Sequence, residues 1–352
     1  PPRIVNLSWE PARIVNDKIY DIKVRFLVIG DRDPIVSAKL IFKPEDYRYF
    51  ITRYGMRPQD YEIVFLNDTR TIDLYPVDGV FDSTIEEFTT TIQNITGGVE
   101  YKIKVIVEDS AGREAATEIK TPYIRQFDDI ASMDDITVGS LYLLWWVKDN
   151  NWRRQYSGDY FSLLGKYLSK DEAVLNKHVD WATGHGIDFF LTNWSGLDYQ
   201  DEALMDYFLN AELVRDGDIK FAILHETTWR LKDSKPGWNL SDPMNIKIVE
   251  EDLSYLQQHY FKHPSYLRIN NKSFLYIYEG KGFFGDISQV KNLKEKYDVF
   301  LVSDHAHPLA NPEDVFRGAE WKEVAKLFNA LTPMPVYTMV FYGTVTTLKN
   351  LM

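Results

Sequence analysis

Two patterns of hydrophobic and polar residues divide this chain of 352 residues. In the first part, apolar and polar residues alternate in short runs that end at turn-forming residues, which is the period of strands with one buried face. The clearest run covers residues 100–122, where a hairpin turn is predicted at Asp109–Gly112. Further alternating runs cover residues 19–30, 36–44, 61–69 and 86–98. Short strands at regular spacing predict an all-β sandwich over residues 1–122.

The second part, residues 139–352, alternates continuous apolar runs with helical patterns. Such runs are typical of strands buried on both faces, and their alternation with helices predicts parallel βαβ units. Five predicted strands cover residues 140–147, 187–194, 219–226, 273–280 and 298–306, and residues 330–339 are predicted as a sixth strand or a loop. The predicted helices cover residues 169–186, 201–217, 245–261, 286–297 and 319–328. Ser169, with Glu172 three residues later, predicts a capping box at the first helix.

The βα units favour a barrel. The sequence has no Walker motif, and six βα units in succession favour a TIM-type (β/α)8 barrel over a nucleotide-binding sheet. Six strands do not close an eight-stranded barrel, so the barrel is expected to be truncated after about six βα units. Residues 123–138, with four Asp and no clear period, are expected to form a linker or a short docking segment. The predicted fold is multidomain, an all-β sandwich followed by an α/β barrel.

The amino-acid composition limits the classes of function that this chain can have. Hydrophobic residues make up 45% of the chain and aromatic residues 14%, which suits large cores and excludes a disordered chain. The net charge is −12, and a surface this acidic repels phosphate backbones, so nucleic acid is not an expected partner. The chain has no cysteine, which excludes disulfides and thiol catalysis. No stretch approaches the ~20 apolar residues of a membrane span.

Polar and aromatic residues gather at the predicted strand ends, where barrel enzymes carry their active sites. Trp and Tyr beside carboxylates suit sugars, because aromatic faces stack on pyranose C–H faces and carboxylates bind hydroxyls or transfer protons. Glu226, after strand three, is the candidate acid or base, and strand four ends in Tyr276, Tyr278 and Glu279. The candidate substrate-binding residues are Trp145, Trp146, Trp194, His225, Trp229, Tyr278 and Asp304.

The second part resembles a known family. LLWWVKDNNWRRQY and LLGKYLSKDEAVLNKHVDWATGHGIDFFLTNWSG look like the opening of the barrel of glycoside hydrolase family 99, the endo-α-mannosidase group. The ordered matches are Leu164–Tyr167, Asp171, Val174, His178, Trp181–Ala182, Gly186–Asp188, Phe190, Trp194 and Gly196. IKFAILHETTWR and HPSYLRINNKSFLYIYEG continue the similarity, which covers residues 139 to about 340. EDSAGREA, before the last strand of the first part, resembles immunoglobulin-like or fibronectin III-like extracellular modules.

The resemblance implies a retaining, metal-independent glycoside hydrolase that cleaves α-mannosidic linkages through a 1,2-anhydro sugar. Glu226 corresponds to the strand-three carboxylate, which acts as a base on the sugar 2-hydroxyl. The second carboxylate of the family, the general acid, belongs to a NEW.EG-type segment, which nothing in this sequence resembles. Residues 319–325, AEWKEVA, follow a helix pattern and are not assigned to it. The acid is therefore expected in a seventh strand that would lie beyond Met352.

Other interpretations of these residues stay open. The alternative interpretation of Glu226 is a solvated surface charge that follows a strand. The alternative interpretation of the tryptophans is that they pack at the mouth of the barrel. Asp304, His305 and His307 have the spacing of a metal site, but the family uses no metal, and neither metal nor cofactor is expected. The alternative function is a non-catalytic extracellular protein, carbohydrate-binding or structural, that keeps a remnant barrel in a surface layer or filament. A partner that covers the open barrel edge is then expected.

Six N-x-S/T sequons bear on localisation. They begin at Asn6, Asn67, Asn94, Asn193, Asn239 and Asn271. Sequons mark glycosylation sites in secreted proteins, although so short a motif also arises by chance. The chain begins with Pro1, which is typical of a processed or trimmed product. These features predict a secreted or cell-surface glycoprotein whose partner is a carbohydrate.

Overall fold

The computed structural model of the protein describes residues 1–10, 20–45, 69–95, 97–130, 136–146, 164, 167–232, 238–303 and 320–332. Antiparallel β-sheets come first, and a parallel β/α region follows. The contacts divide the chain into two units that are each discontinuous in sequence. Unit 1 comprises Pro1–Met133, Trp146–Gly186 and Asn210–Asp218. Unit 2 comprises Asp134–Trp145, Ile187–Leu209 and Ile219–Met352.

The antiparallel strands of the first part form two sheets within the described residues. The strands are β1 (Arg3–Glu10), β2 (Tyr20–Ile29), β3 (Ile35–Pro44), β4 (Arg70–Leu74), β5 (Ile85–Ile95), β6 (Tyr101–Asp109) and β7 (Glu114–Lys120). One sheet has the order β1–β2–β5, and the other has the order β4–β3–β6–β7. The predicted hairpin at Asp109–Gly112 joins β6 to β7, and Gly112 has the positive φ (+74°) that such a turn requires.

The two sheets share one hydrophobic core. Along β6 every second residue is buried, because successive side chains of a strand point to opposite faces. Tyr101 of β6 stacks on Phe42 of β3 with ring centroids 4.3 Å apart. Both belong to a buried cluster that includes Phe26 and Phe88 of the other sheet. The predicted all-β first part is confirmed, while residues 61–68 of one predicted strand lie outside the described residues.

Strands and helices alternate in the second part. The strands are β8 (Gly139–Tyr142), β9 (Phe189–Trp194), β10 (Lys220–His225), β11 (Trp238–Asn239), β12 (Arg268–Ile269), β13 (Lys272–Ile277), β14 (Phe283–Phe284), β15 (Val299–Ser303) and β16 (Ala330–Leu331). The helices are α1 (Glu172–Thr183), α2 (Tyr199–Glu202), α3 (Glu212–Arg215), α4 (Thr227–Arg230), α5 (Pro243–His259), α6 (Ser288–Lys296) and α7 (Glu320–Ala325). A π-helical turn covers Ala203–Phe208, and a 3-10 turn covers Gly280–Gly282.

Six of these strands pair in parallel in the order β8–β9–β10–β13–β15–β16, which is also their order along the chain. They form an open half-barrel, so the prediction of six parallel βα strands is confirmed. The hydroxyls of Tyr276 in β13 and Thr332 after β16 lie 2.8 Å apart. None of the helices in the described ranges has the length and apolar character needed to span a bilayer.

The parallel strands have two faces. One, called the cluster face, carries a buried group of alternate residues: Leu191, Ala222, Leu224, Phe274, Tyr276 and Val302. The other, called the helix face, lines a small apolar space together with α5 and α6. Its members there are His225, Leu275, Ile277, Val299 and Leu301. Because side chains alternate along a strand, Glu226 follows Ala222 and Leu224 in the row of the cluster face.

The single helix predicted over residues 201–217 is wrong. Asp198 caps α2 by accepting from the backbone N–H groups of Gln200 and Asp201, and the π-helical turn follows. Ala211 then takes an extended ψ of 136°, so helical geometry is lost before α3 begins. An apolar periodicity that spans two short helices on one surface looks like one helix in the sequence.

The predicted capping box of the first helix is also wrong. α1 has Asp171 at its N-cap, and no side chain caps it. Ser169 instead accepts a hydrogen bond from the backbone N–H of Trp146 at 3.0 Å, while its own N–H donates to the Trp146 carbonyl at 2.7 Å. A competing tertiary contact therefore takes the hydroxyl that the sequence assigns to a cap.

Within unit 1, the segment after β7 packs against α1. Asp180 of α1 is fully buried and accepts hydrogen bonds from the Tyr123 hydroxyl at 3.0 Å and from the Gln126 N–H at 2.7 Å. Arg125 is also buried, and it pairs with Asp129 and Asp180. Residues 123–126 are thus held by a polar network on α1.

Candidate functional site

Three strand ends meet at the C-terminal edge of the parallel path, those of β9, β10 and β13. His225 of β10 lies in register with Trp194 of β9 and Ile277 of β13. The N–H of Glu226 donates to the Trp194 carbonyl at 2.9 Å, and the N–H of Tyr278 donates to the His225 carbonyl at 3.1 Å. The hydrogen-bond ladder continues one residue past the strands and fixes the backbone of Glu226.

The carboxyl of Glu226 is buried, and no described residue donates a hydrogen bond to it. The residue is only 8% exposed, and although it precedes α4, its side chain does not cap that helix. Burial disfavours the charged form, and the negative charge of Glu279 adds repulsion. Together they raise the pKa of Glu226 from 4.5 to about 7. A carboxyl with a pKa near neutrality suits general acid or base catalysis.

Glu279, one residue beyond Tyr278, has a left-handed backbone conformation. Its φ is 61° and its ψ is 22°, a region that residues with a Cβ occupy at a cost. The following residue is held tightly, because a Cβ on Gly280 would collide with the Ser303 hydroxyl at the end of β15. The half-buried Glu279 is therefore fixed in a strained turn at the same edge as Glu226.

On the helix face, Asp252 of α5 anchors this edge. Its carboxylate lies 2.8 Å from His225 Nε2 and accepts from Arg230 Nε at 3.0 Å. Asp252 and His225 are both buried. Burial acts to raise the pKa of Asp252, but the hydrogen bonds from His225 and Arg230 outweigh it and hold that pKa below its ordinary value. Asp252 is a charged group that ties α5 to the ends of β10 and α4.

Trp194 is a buried packing residue on the same helix face. It is 1% exposed, and its indole N–H donates to Asp201 at 2.8 Å. The Asp201 carboxylate also accepts from the Tyr255 hydroxyl at 2.6 Å. Trp194 and His225, which the sequence predicts as sugar contacts, therefore lie on the opposite side of the strands from Glu226 and hold the strand ends in place.

Gly196 permits the approach of Arg230 to Trp194. The guanidinium carbon of Arg230 lies 5.5 Å from the centre of the indole ring, a cation–π distance. Gly196 has a φ of +105°, and a Cβ there would lie 2.6 Å from a guanidinium nitrogen. The glycine matched in the sequence is thus required by backbone conformation and by space.

The remaining predicted substrate residues lie in different settings. Trp229 is 78% exposed, so its ring is open to solvent. Tyr278, Trp145 and Trp146 are half-buried, and Asp304 lies outside the described residues. Their assignment to sugar binding stays a prediction, as does that of Glu226 to catalysis.

Exposure distinguishes the sequon asparagines. Those on the surface are Asn6, Asn94 and Asn271, while Asn239 is half-buried and Asn67 lies outside the described residues. Asn193 is fully buried in β9, where its side-chain carbonyl accepts from the Leu144 N–H at 3.1 Å. A glycan does not fit on Asn193 in the folded chain. Glycosylation elsewhere and an extracellular location stay predictions.

Two residues that organise the site were not singled out in the sequence, Asp201 and Asp252. Asp252 interrupts the apolar stripe of α5 formed by Val249, Leu253 and Leu256. A carboxylate in such a stripe signals a buried pair, because Asp is almost never fully buried without a partner. In the described part of the chain, no three His, Asp or Glu side chains gather where a metal ion could be held. The predicted metal alternative at Asp304, His305 and His307 falls outside that part.

Comparison with known proteins gives a distant structural likeness. No family model and no curated protein matches the sequence. Among solved structures, the GH99 endo-alpha-mannosidase from Bacteroides thetaiotaomicron is similar, with 18% identity and a TM-score of 0.37. The similarity covers 50% of this chain and 56% of that one, so the chain spans about half the length of that enzyme.

Two other solved structures share more of this chain at lower scores. The beta-glucuronidase from Parabacteroides merdae has 12% identity and a TM-score of 0.27, over 86% of this chain and 33% of that one. The type III pullulan hydrolase from Thermococcus kodakarensis has 12% identity and a TM-score of 0.28, over 84% and 60%. The chain resembles glycoside hydrolases distantly, and no activity or catalytic residue is carried over from these scores.

Proposed function

We propose that this protein is a glycoside hydrolase that acts on α-mannoside-type glycans, with Glu226 as the carboxyl that transfers a proton. The observation that carries the proposal is a buried carboxyl at a parallel strand end, with a pKa raised from 4.5 to about 7. Groups perturbed in this way are enriched at catalytic sites. The ordered sequence motifs between Trp145 and Tyr278 support the choice of substrate class.

The proposed reaction begins with the ionised form of Glu226. The carboxylate takes the proton of the sugar 2-hydroxyl, O2 bonds to C1, and the glycosidic C1–O bond breaks with its electron pair on the leaving oxygen. Water then opens the 1,2-anhydro sugar at C1: its oxygen bonds to C1, the C1–O2 bond breaks, O2 recovers its proton from Glu226, and the proton lost by water balances the one gained by the leaving oxygen. The configuration at C1 is retained. With a pKa of about 7, Glu226 is about half ionised at neutral pH and can both take and return the proton.

Aromatic rings near this carboxyl suit a sugar ligand. Trp229 follows Glu226 by three residues and exposes its ring, and Tyr278 stands at the neighbouring strand end. Aromatic faces stack on the apolar C–H faces of pyranoses. These two residues are the proposed sugar contacts in unit 2.

The test is hydrolysis of α-mannan and α-manno-oligosaccharides by the full chain. Glu226→Gln keeps the shape of the side chain and removes its proton chemistry, so turnover is expected to fall on the order of 10² to 10⁴-fold. The matched control is Glu295→Gln, which changes an exposed glutamate of α6 and should leave turnover unchanged. Equal turnover by wild type and Glu226→Gln would remove Glu226 from the mechanism.

A non-catalytic carbohydrate-binding or structural surface protein is the competing proposal. It predicts that the wild-type chain binds α-mannan and releases no product. Affinity electrophoresis in α-mannan gels, combined with product analysis of the same samples, separates the two proposals.

A further inference from the structure

We infer that Asp252 of α5 is a positioning residue for Glu226, because its carboxylate binds both ends of the segment that carries Glu226. This inference rests on the proposed function. Asp252 packs against the helix face, whereas Glu226 follows Ala222 and Leu224 in the row of the cluster face. Asp252 therefore acts on the reaction through the main chain and not through contact with the sugar.

The two ends of this segment, residues 225–230, bind the same carboxylate. His225 ends β10, and its Nε2 lies 2.8 Å from one Asp252 oxygen. Arg230 ends α4; its Nε donates to that oxygen at 3.0 Å, and its Nη2 donates to the other one. His225 and Asp252 are buried, and Arg230 is half-buried. Because one carboxylate on a neighbouring helix joins both ends, the span between them is fixed.

Glu226 turns the chain from β10 into α4. Its φ of −80° and ψ of 81° belong neither to the strand nor to the helix, and they are close to the values of an inverse γ-turn. Its N–H donates to the Trp194 carbonyl at 2.9 Å, and its carbonyl accepts from the Trp229 N–H at 3.0 Å. The conformation of this one residue sets the direction of its Cα–Cβ bond, so a small change in the turn displaces the carboxyl.

A second contact joins Arg230 to the residue that fixes the Glu226 backbone. The guanidinium carbon of Arg230 lies 5.5 Å from the centre of the Trp194 indole ring, and Gly196 leaves the space for this approach. The carbonyl of the same Trp194 accepts the Glu226 N–H. Trp194 thus contacts both Glu226 and Arg230, so a shift of Arg230 away from Asp252 would also disturb the end of β9.

The residues on either side of Glu226 keep this conformation at a cost. His225 Nδ1 and the Thr227 hydroxyl are buried, and neither has a hydrogen-bond partner in the described part of the chain. Buried polar atoms without a partner are unfavourable, so other interactions must fix the segment that carries them. The charged hydrogen bonds of Asp252 to His225 and Arg230 supply that stabilisation.

The first test measures amide hydrogen exchange in the full chain of Asp252→Asn, without substrate. The amides of Glu226, Trp229 and Leu231 should exchange on the order of 10-fold faster relative to the amides in the middle of β9 and β13. Equal acceleration of all these amides would show that Asp252 serves stability alone, and no acceleration would show that it does not hold the segment. Either result overturns the inference. Glu251→Gln changes the adjacent exposed residue of α5 and should exchange as wild type does.

Arg230→Met gives the same comparison if Asp252→Asn does not fold. It frees one end of the segment and leaves the pair of Asp252 with His225 intact. The amides of α4 should still exchange faster relative to those of β9 and β13, and a wild-type pattern would overturn the inference. Because exchange needs no substrate, these measurements decide whether Glu226 is held even if wild type hydrolyses no α-mannoside. That result would overturn only the proposed function.

The second test is the hydrolysis of α-mannan by Asp252→Asn, with rates expressed per folded molecule. A displaced carboxyl slows proton transfer while the sugar contacts stay, so kcat should fall on the order of 10- to 100-fold. KM should stay within about twofold of wild type, because the variant removes no contact with the sugar. An unchanged kcat, with or without a higher KM, would contradict a positioning role.

A double variant shows whether Asp252 acts through Glu226. Glu226→Gln alone and Glu226→Gln combined with Asp252→Asn should have the same residual turnover per folded molecule. The reason is that a carboxyl that has been removed cannot also be displaced, so the two effects do not add. Losses that multiply in the double variant would place the effect of Asp252 elsewhere in the molecule and overturn the inference.

Discussion

At the scale of single residues, Glu226 shows how burial of a carboxyl affects stability. Its pKa is about 7 in the folded chain against 4.5 for the free side chain. Below pH 4.5 both the folded and the unfolded chain hold the proton, so folding is unaffected. Between pH 4.5 and 7 the unfolded chain ionises first, so the free energy of unfolding falls as pH rises. Above pH 7 the penalty is constant at about 3 kcal/mol.

Glu226→Gln should therefore stabilise the protein in a pH-dependent way. At pH 8 the variant is expected to exceed wild type by about 2 to 3 kcal/mol in the free energy of unfolding, and at pH 4.5 the difference should vanish. Urea unfolding followed by circular dichroism across this range measures both values. Glu295→Gln is the exposed control and should follow the wild-type curve. A constant difference at all pH values would show that Glu226 has an ordinary pKa.

The sequence predicts where such residues lie along the chain better than it predicts their backbone conformation or the face of the sheet that they occupy. Glu226 and Glu279 are visible as charges after apolar runs, because strand ends are where apolar periodicity stops. The left-handed φ of Glu279 is not predictable, since Glu has no preference for that conformation. The sequence does not show which face of the sheet each side chain lies on, because that depends on how the strands pair. His225 and Trp194 were therefore predicted to bind sugar beside Glu226, whereas in the structure they face α5.

At the scale of elements, the contact between α5 and the end of β10 depends on one carboxylate. Asp252 bonds to His225 and Arg230, and it lines the small apolar space together with Leu253 and Leu256 of α5. Its low pKa means that the charged form is stabilised by folding. This contribution is present above the ordinary pKa of Asp and is lost as pH falls through the folded value.

Asp252→Ala should lower the free energy of unfolding by about 3 to 5 kcal/mol, because it leaves His225 and Arg230 without their buried partner. Glu251→Ala changes the adjacent exposed residue of α5, whose ion pair with Lys247 is solvent-exposed, and should cost at most about 0.5 kcal/mol. Urea unfolding of the two variants at neutral pH gives the comparison. A loss of under about 1 kcal/mol in Asp252→Ala would show that the carboxylate does not anchor the helix.

Strands were more predictable than helices. Over the residues that the structure describes, the apolar runs of the second part contain the strands of the half-barrel, because buried parallel strands need apolar residues on both faces. The run over residues 201–217 failed as a helix since its periodicity continues across the extended Ala211. The cap at Ser169 failed because tertiary contact with Trp146 overrides a local preference.

At the scale of the whole molecule, the order of antiparallel sheets and parallel βα units was predictable from a change of period near residue 139. The division of the residues into two units was not predictable from the sequence, because it depends on contacts such as those of Asp180 with Tyr123 and Gln126. Those contacts join segments more than fifty positions apart, which no local pattern reveals.

The measurement that tests the proposed function most directly is ¹H NMR of the first product that the full wild-type chain releases from an α-manno-oligosaccharide. Double displacement at C1 retains configuration, so the α-anomer is expected to appear first and then to mutarotate. First appearance of the β-anomer would contradict the retaining mechanism. Release of no product by the folded chain would contradict the assignment as a glycoside hydrolase.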